Sequence, residues 1–570
     1  MKTKVRLLWG IMVSFLLIAP ITAIFYVAYK AVELPFVPTN VMDWMIRQFS
    51  GDLGGDIITF GIDTMVDLIT TFNLGRTDTT AKMAEQMTGI MLFIGIGVAV
   101  GTIYYYFGNM AKEKSERPIW GLMTGLLIAV PIALISDHTL TANNAFYSGP
   151  SFAARTAWIL ALLGVWGVGI NLVFNKLTTL PNTEEALPAK SDMTPVAETA
   201  PPTQQPSTAL NRTAVERMSR RQFLIRLGGA TATMTVLGAG LGRLFEDDET
   251  VTALSQSDFS FDEFPNMSSA IEPAPGTRPE YTPLDEHYRI DINSGGPPEI
   301  DGDAWFVQFK GMFENPMQLT LNDLQNNYEP MNQYVTLSCI SNRIAGRLTS
   351  TTGWTGVSMQ TLLREARPAD GATHLKISSA DGFFEYVDLD VIENDERVML
   401  TYAWDQELLR VKHGFPARIY IPDRYGMKQP KWITEIEAVA EWGEGYWVER
   451  GWSREAIMRA TSVIDTVAVD NVIEDGDNRL IPIGGIAHAG ARSISKVEVQ
   501  VDDGEWVEAQ LRQPLSDTTW VVWRYDWPFE EGDHTFAVRC IDGNGEMQIL
   551  EENDRRPNGA TGIHTQSVEI

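Results

Sequence analysis

The sequence YVTLSCISNRIAGRLTSTTGWTGV, residues 334–357, contains Cys339, one of only two cysteines among 570 residues. Residues 334–337 are mostly aromatic or β-branched, which predicts a short strand that ends near the cysteine. The residues that follow, Ser-Cys-Ile-Ser-Asn-Arg at 338–343, are typical of a loop. A lone thiol at the end of a strand can fill a core, act as a nucleophile or bind a soft metal. The stretch by itself leaves these three roles open.

Two further motifs lie downstream of the cysteine. The first is His-Gly-Phe-Pro-Ala-Arg at 413–418, and the second is Tyr-Gly-Met-Lys-Gln-Pro-Lys-Trp at 425–432. The combination of Ser-Cys-x-Ser-Asn with His-Gly-Phe-Pro-x-Arg and Lys-Trp resembles the sulfite oxidase family of molybdopterin-dependent oxidoreductases. It is most similar to the membrane-anchored bacterial members of that family, and the resemblance extends over residues 281–570.

The resemblance implies a molybdenum–molybdopterin cofactor with Cys339 as a ligand of the metal. A thiolate is a strong sulfur donor, and metal binding would hold the cysteine deprotonated. The cofactor-binding residues that the resemblance implies are Tyr288, Arg289, Cys339, His413, Arg418 and Lys431. Lys428 is added because its charge lies in the same stretch. An arginine such as Arg418 can bind the phosphate of the pterin in a bidentate manner, and the lysines supply point charges.

The substrate side of the site rests on the cysteine loop. Cys339, Asn342 and Arg343 are the candidate catalytic residues, and Arg347 is a further candidate anion contact. Surface ion pairing is the alternative role of both arginines. Sulfite oxidases of the family carry two consecutive arginines after the asparagine of this loop, whereas here Arg343 is followed by Ile344.

The active-site tyrosine of the family is also not matched. It belongs to the stretch Ala-Asp-Gly-Phe-Phe-Glu-Tyr at 380–386, where Phe383 and Phe384 occupy the corresponding positions and Tyr386 is the nearest tyrosine. Sulfite is a small anion that needs a cationic pocket. The departures therefore weigh against sulfite as the substrate.

Residues 1–178 predict a membrane domain with four transmembrane helices. Apolar runs end at residue 29 and cover 87–107, 119–135 and 156–174, and each is long enough to span a bilayer. The basic start of the chain and the basic loop 112–117 place both on the cytoplasmic side. His138 is the only histidine before residue 287, so these helices cannot supply two axial ligands to a haem. We interpret them as an anchor or a docking platform, and a quinone site is the alternative.

A linker and an export signal follow the membrane domain. Residues 179–217 form a Pro/Thr-rich linker. Residues 218–245 contain Ser-Arg-Arg-Gln-Phe-Leu before a Gly- and Thr-rich apolar run, which resembles an internal twin-arginine signal and is alternatively a fifth transmembrane helix. Both interpretations place the remainder of the chain, which begins with an acidic linker at 246–280, outside the cytoplasm.

The predicted fold class is therefore a multi-domain chain. The N-terminal transmembrane helices precede an α+β molybdopterin-binding catalytic domain of the sulfite oxidase type at 281–460. Short alternating strands separated by turns at 461–570 predict an all-β immunoglobulin-like sandwich, which mediates dimerisation in the family. Cys540 lies in an apolar strand of this domain, and we predict that it fills the core.

The distribution of charge limits the partners. Residues 1–245 carry 19 basic and 16 acidic residues, whereas residues 246–570 carry 26 and 57. The acidic second part argues against nucleic acid. It would suit a basic redox partner such as a small cytochrome, and simple solubility is the alternative. No Cys-x-x-Cys-His haem motif occurs, so electrons would leave through another protein.

These observations lead to three hypotheses on function. The first is a membrane-anchored extracytoplasmic molybdenum oxidoreductase that transfers an oxygen atom to or from a small oxyanion or oxide and passes electrons to a partner protein. The second is a reductase of sulfoxides or similar oxides fed from the quinone pool. The third is a non-enzymatic membrane scaffold with a degenerate molybdopterin domain. The chain would act as a dimer or within a larger membrane complex.

Overall fold

The computed structural model describes residues 2–49, 60–62, 64–66, 68–69, 80–108, 118–141, 149–179, 220–243, 264–293, 296–476 and 478–570. Two compact units are present. The first contains Met1–Val41, Gly89–His138 and Gly149–Asp247, and the second contains Met42–Thr88, Thr139–Ser148 and Asp248–Ile570. Residues 180–219, and with them nearly all of the predicted linker and the start of the predicted export signal, lie outside the described residues.

Long helices make up most of the described N-terminal region. They are α1 (Lys2–Val32), α2 (Val37–Phe49), α3 (Thr80–Gly108), α4 (Pro118–Thr141), α5 (Phe152–Thr179) and α6 (Arg220–Arg243). Four of them contain segments that are long and apolar enough to cross a membrane, namely Gly10–Val32, Lys82–Phe107, Pro118–Thr141 and Phe152–Leu177. The four predicted membrane helices are thereby confirmed as apolar helices of sufficient length.

Small residues allow the helices of the first unit to approach closely. A Cβ added at Gly125 of α4 would collide with the backbone carbonyl of Leu163 in α5, and one added at Gly167 would collide with the carbonyl of Gly121. Such small residues let membrane helices pack backbone to backbone. Gly125 lies against Leu163 and Gly121 against Gly167, so the residue numbers rise along one helix as they fall along the other. The helices α4 and α5 are therefore antiparallel.

The sixth helix runs parallel to the first. Leu224 shares a buried apolar cluster with Val13 near the start of α6. Further along, a Cβ at Gly238 would lie 2.9 Å from the Cβ of Ala23. Because the residue numbers rise together along the two helices, α1 and α6 have the same direction.

Two sheets form the catalytic region of the second unit. One has the order β2-β1-β10-β5-β6, in which only β1 and β10 are parallel, and the other has the order β3-β4-β7-β8 with β9 on β7. The strands are β1 (Phe306–Gly311), β2 (Met317–Thr320), β3 (Met331–Ser338), β4 (Thr349–Ser358), β5 (His374–Ser379), β6 (Phe384–Asp388), β7 (Met399–Trp404), β8 (Glu407–Leu408), β9 (Arg418–Tyr420) and β10 (Ile433–Val439). Short helices accompany them, α7 (Leu321–Asn326), α8 (Met359–Ala366) and α9 (Leu389–Glu393).

One apolar core joins these elements. It contains fully buried side chains from both sheets and from α8, among them Trp305, Leu362, Leu400 and Ile436. The indole of Trp305 donates to the carbonyl of Ile433 at 2.9 Å, which ties the start of β1 to the start of β10. The core therefore holds fixed the strand ends from which the site residues project.

The C-terminal region consists of two antiparallel sheets with a common core. Their orders are β11-β13-β17-β16, with β12 on β13, and β15-β14-β18-β19. The strands are β11 (Thr461–Val467), β12 (Ile473–Asp475), β13 (Asn478–His488), β14 (Ile494–Val501), β15 (Val507–Glu508), β16 (Gln510–Leu511), β17 (Val521–Pro528), β18 (Asp533–Asp542) and β19 (His564–Glu569). Cys540 is completely buried between the sheets beside Trp523 and Phe536, which confirms its predicted role in the core.

Candidate functional site

The cysteine loop is closed by its own asparagine. Cys339 follows the last residue of β3, and its backbone N–H donates to the carbonyl of Leu348 at 2.9 Å. The side chain of Asn342 accepts a hydrogen bond from the backbone N–H of Leu348 at 3.0 Å, and the N–H of Asn342 donates to the carbonyl of Cys339. Asn342 thus holds the loop in shape, as short polar side chains often do in turns.

The thiol of Cys339 lines a cavity of about 160 Å³. Six of the residues that sequence analysis assigned to the cofactor meet there, namely Tyr288, Arg289, Cys339, His413, Arg418 and Lys431. They come from different elements, because His413 ends a turn of 3-10 helix, Arg418 begins β9 and Lys431 precedes β10. The rest of the wall includes the apolar side chains of Ile340, Phe383, Met427, Trp447 and Trp452.

Burial and one distant arginine act on the thiol. Only 9% of Cys339 is exposed, and its Sγ lies 3.0 Å from the hydroxyl of Ser341. Burial raises the pKa of Cys339, the Ser341 hydrogen bonds lower it, and the charge of Arg555 lowers it further. Arg555 belongs to the C-terminal region, so sequence analysis had no local signal for it.

Two neutral histidines and Trp404 pack against one another at tilted or edge-to-face angles, and one of them, His413, lines the cavity. The ring of His413 lies 4.6 Å from the ring of Trp404, and the ring of His287 lies 5.3 Å from each of them. Burial, together with the charge of Arg418, lowers the pKa of His287 to about 3. Burial also holds the pKa of His413 well below its usual value. His287 was missed from sequence, although it directly precedes Tyr288.

Arg418 is held against an indole. Its guanidinium carbon lies 4.6 Å from the ring centre of Trp354, and its Nη1 donates to the carbonyl of His413 at 3.0 Å. Burial lowers the pKa of Arg418 to about 10, so the group remains a cation at neutral pH. This packing directs a fully buried positive charge into the cavity.

A buried carboxylate gathers the other cations. Asp291 accepts from the Nε of Arg289 at 2.7 Å, and its carboxylate also lies 3.4 Å from Lys431 and 3.1 Å from Lys82. Burial opposes ionisation, but the charges of Arg289, Lys82 and Lys431 hold the pKa of Asp291 well below its usual value. Burial lowers the pKa of Lys431 to about 7, although Asp291 opposes this shift. Sequence analysis did not identify Asp291.

Four of the residues that were candidates from the sequence do not line this cavity. The ammonium of Lys428 donates to Glu385 at 2.9 Å and to the carbonyl of Tyr386, and both charged side chains are almost fully buried away from the cavity wall. Asn342 and Arg343 line a second, smaller cavity of about 50 Å³ with Tyr425. Arg347 is exposed. Of the aromatic residues considered for the missing tyrosine, Phe383 lines the first cavity.

A comparison of the sequence with known protein families identifies the same part of the chain as a molybdopterin-binding region. The family model described as an oxidoreductase molybdopterin binding domain matches residues 294–447, which include the cysteine loop, His413, Arg418 and Lys431. A sulfite oxidase of Arabidopsis thaliana is 26% identical over 282 residues, which are 41% of this chain and 70% of that protein. Residues 294–447 are thus a molybdopterin-binding oxidoreductase domain, and the chain is similar to sulfite oxidases over this region.

Other relatives of this oxidoreductase are longer proteins. An NAD(P)H nitrate reductase of Hordeum vulgare is 25% identical over 329 residues, so the match covers 46% of this chain and only 36% of that enzyme. The chain thus matches about a third of the length of the nitrate reductases. Among solved structures, the sulfane dehydrogenase SoxCD from Paracoccus pantotrophus is similar with a TM-score of 0.45 and 20% identity, over 56% of this chain and 88% of that one.

The cavity fits the molybdenum–molybdopterin cofactor of this family. Several buried nitrogen atoms of the site have no hydrogen-bond partner within the described part of the chain, namely Nη2 of Arg289, Nε of Arg418 and Nε2 of His287 and of His413. The arginine nitrogens are donors, whereas the Nε2 of neutral His287 is an acceptor because its Nδ1 donates to the carbonyl of Tyr288. Buried polar atoms of either kind are costly unless a ligand satisfies them. No group of three His, Cys, Asp or Glu side chains suited to a metal occurs in the described residues. In a molybdenum–molybdopterin site, Cys339 would be the ligand that this chain supplies to the metal.

Proposed function

We propose that this chain is a membrane-anchored, extracytoplasmic molybdenum oxidoreductase that transfers an oxygen atom and two electrons and passes the electrons to a separate protein. The observation that carries the proposal is that the Cys339 thiol, Arg289, Arg418 and His413 line one cavity, and that each of the last three has a buried nitrogen without a hydrogen-bond partner among the described residues. A scaffold with a degenerate site would gain nothing from burying these nitrogens, because each of them is costly when unpaired.

The side chains have distinct roles in this proposal. The bound cofactor would supply the oxygen-atom transfer and the redox chemistry. Cys339 would hold the metal as a thiolate, while Arg289, Arg418 and Lys431 would bind the anionic part of the pterin. His287 and His413 are neutral, so each would contribute one N–H donor or one acceptor without adding charge. Asn342 would keep the cysteine in place through the loop.

The wall of the cavity favours the reductase of sulfoxides or similar oxides as the second candidate. Phe383, Met427, Trp447 and Trp452 give the cavity an apolar lining, and Arg343 lines the other cavity instead. A small inorganic anion would need several cations beside the thiol. An apolar lining suits a neutral oxide with an organic substituent, and electrons for its reduction would come from the quinone pool.

The direction of the helices supports an extracytoplasmic catalytic region. The α6 helix is parallel to α1, and both begin with basic residues, which favours a cytoplasmic start for both. After α6, the chain would then emerge on the far side of the membrane. The alternation of the four predicted spans also places the connections 30–86 and 137–155 outside, and parts of both, Met42–Thr88 and Thr139–Ser148, belong to the same compact unit as the catalytic residues.

The C-terminal sheets support an immunoglobulin-like domain with a role in dimerisation. They are antiparallel, they face each other across one core, and buried residues alternate with exposed or half-buried ones along β18. In this proposal residues 281–460 form the catalytic domain and residues 461–570 form the sandwich. The acidic surface of this part of the chain would attract a basic electron-transfer partner.

Molybdenum content tests the proposal directly. The full-length protein is purified from a host that makes the cofactor, beside Cys339→Ala and the matched control Cys540→Ala. We expect about one molybdenum per chain in the wild type and in the control. Cys339→Ala should lose oxygen-atom transfer in both directions, measured with sulfite and with an organic sulfoxide. A wild-type protein without molybdenum would overturn the enzyme hypothesis and leave the scaffold.

A further inference from the structure

Two stretches from the N-terminal part of the chain belong to the same compact unit as the catalytic residues. They are the end of α2, residues 42–49, and the beginning of α3, residues 80–88. The candidate span Lys82–Phe107 has 26 residues. A helix of that length measures about 39 Å and exceeds the hydrocarbon thickness of about 30 Å. The first turn of α3 can therefore lie outside the apolar layer, beside the catalytic residues.

Lys82 is buried against the carboxylate that gathers the cations of the site. Only 6% of its side chain is exposed, and its Nζ lies 2.8 Å from Glu85 and 3.1 Å from Oδ1 of Asp291. It also donates to the carbonyl of Asp291 at 3.3 Å. Lysine is rarely buried unless it is paired in this way. Lys82 is thus a third cation, from far upstream, around the carboxylate that also binds Arg289 and Lys431.

The contact with Lys82 decides how Asp291 binds Arg289. Oδ1 of Asp291 is occupied by Lys82 and by the backbone N–H of Asn293 at 3.0 Å. Arg289 therefore binds through Nε to Oδ2 alone, and its Nη2 is buried without a hydrogen-bond partner among the residues that the structure describes. An arginine beside an unrestrained carboxylate would bind it with both nitrogens. Lys82 thereby leaves one nitrogen of Arg289 available to a ligand.

A chain of hydrogen bonds connects α2 to the cavity. Arg47 donates from Nη2 to the side chain of Asn293 at 3.3 Å, and Asn293 donates to Asp381 at 2.9 Å. Asp381 lines the cavity. The backbone carbonyl of Arg47 accepts in turn from Arg450 at 3.0 Å. The polar side of the cavity is therefore supported from two N-terminal stretches.

We propose that Lys82 and Arg47 are positioning residues of the molybdopterin site, so that the site is complete only with the end of α2 and the first turn of α3. The inference rests on the cofactor of the proposed function. It goes beyond the family match, because Lys82, Arg47 and Asp291 all lie outside the matched residues 294–447. Release of the cofactor should accordingly depend on a residue of the membrane-anchoring part.

The test measures cofactor retention in the full-length protein in detergent. Lys82→Met is compared with Lys82→Arg and with Lys310→Met, which removes a half-exposed ion pair with Glu435. Molybdenum and pterin per chain are determined on purification and during prolonged dialysis. We expect the cofactor to be released about ten-fold faster from Lys82→Met than from the wild type. Without Lys82, Arg289 would bind Asp291 with both nitrogens, and its charge-assisted hydrogen bond to the cofactor would be lost. Lys82→Arg and Lys310→Met should resemble the wild type.

The outcomes separate this inference from the proposed function. A folded Lys82→Met protein that retains the cofactor like the wild type would overturn the positioning role and leave the enzyme hypothesis intact. Absence of the cofactor from the wild type would instead overturn the proposed function. If Lys82→Met does not fold, Lys82→Gln serves as the second variant, because it keeps a hydrogen-bond donor and loses only the charge. Wild-type retention in Lys82→Gln would equally overturn the inference.

Discussion

The guanidinium of Arg418 lies 4.6 Å above the ring of Trp354, inside the core of the catalytic region. A planar guanidinium can lie over an indole and still direct hydrogen-bond donors outwards in its own plane, which a lysine ammonium cannot do. The cation is thereby held rigidly while its Nε faces the cavity without a partner in the described residues.

Replacement of Arg418 by lysine should therefore weaken cofactor binding although the charge is kept. We expect pterin content to fall by about ten-fold, because a bidentate charged contact is lost. Pterin fluorescence and molybdenum per chain measure the effect. Arg364→Lys on the exposed face of α8 is the matched control and should have full content. Equal content in both variants would contradict the stacked role of Arg418.

The pair of Lys428 and Glu385 should contribute to folding rather than to cofactor binding. Its side chains are only 4% and 0% exposed, so Lys428→Met leaves an unpaired buried carboxylate and should destabilise the protein by about 3–5 kcal/mol. The double variant Lys428→Met with Glu385→Gln should recover part of that stability. Thermal unfolding of the three proteins measures this. Normal stability with lost molybdenum in Lys428→Met would instead favour a role in cofactor binding.

Asp405 should make stability depend on pH. Burial raises the pKa of Asp405 to about 8, and its side chain accepts from the backbone N–H of Gly353 at 3.0 Å. Because the folded pKa lies above the unfolded value of about 4, this residue's contribution is greatest below pH 4 and is lost as the pH rises towards 8.

The variant Asp405→Asn keeps the hydrogen-bond acceptor and removes the titration. Its thermal midpoint relative to the wild type should therefore rise between pH 5 and pH 8, by an amount that corresponds to a few kcal/mol. The control is Asp370→Asn at an exposed position, which should change the thermal midpoint by the same amount at pH 5 and at pH 8. Parallel curves for Asp405→Asn and the wild type would show that Asp405 is ionised in the folded protein.

The two cavities predict which side chains contact the substrate. Phe383→Ala enlarges the cavity at Cys339 and should raise KM for a neutral sulfoxide by about ten-fold, as expected when apolar contacts are lost. Arg343→Met alters the other cavity and should change that KM less than two-fold. Steady-state kinetics of both variants decide the matter. A large effect of Arg343→Met alone would return Arg343 to the substrate site.

The main features of the site could be predicted from local sequence. Cys339, His413 and Arg418 lie in short motifs whose resemblance to the sulfite oxidase family implied a molybdopterin site. The apolar runs of the N-terminal part likewise predict helices of membrane length, because length and composition alone determine whether a helix can cross a bilayer. The apolar strand around Cys540 predicts a buried thiol for the same reason.

Other roles could not be read from neighbouring residues. Lys428 is two residues from Pro430 and three from Lys431, yet it pairs with Glu385 while Lys431 faces the cavity. Asn342 stands in the cysteine loop, yet its side chain is used to close that loop. Lys428 and Asn342 are close in sequence to residues of the site, but in the folded protein their side chains bind other partners.

Asp291, Lys82 and Arg555 show what tertiary structure alone decided. Each is an unremarkable charged residue in sequence, and each acts on the site from a segment outside the cysteine loop and the later motifs. Burial of a charge is costly unless a partner is found, so the packing of distant segments selects which charges enter the interior together. The sequence by itself indicated the ligand, because its contiguous motifs resemble those of a known family. The tertiary structure decided which charges surround the ligand, because those partners are brought together only by folding.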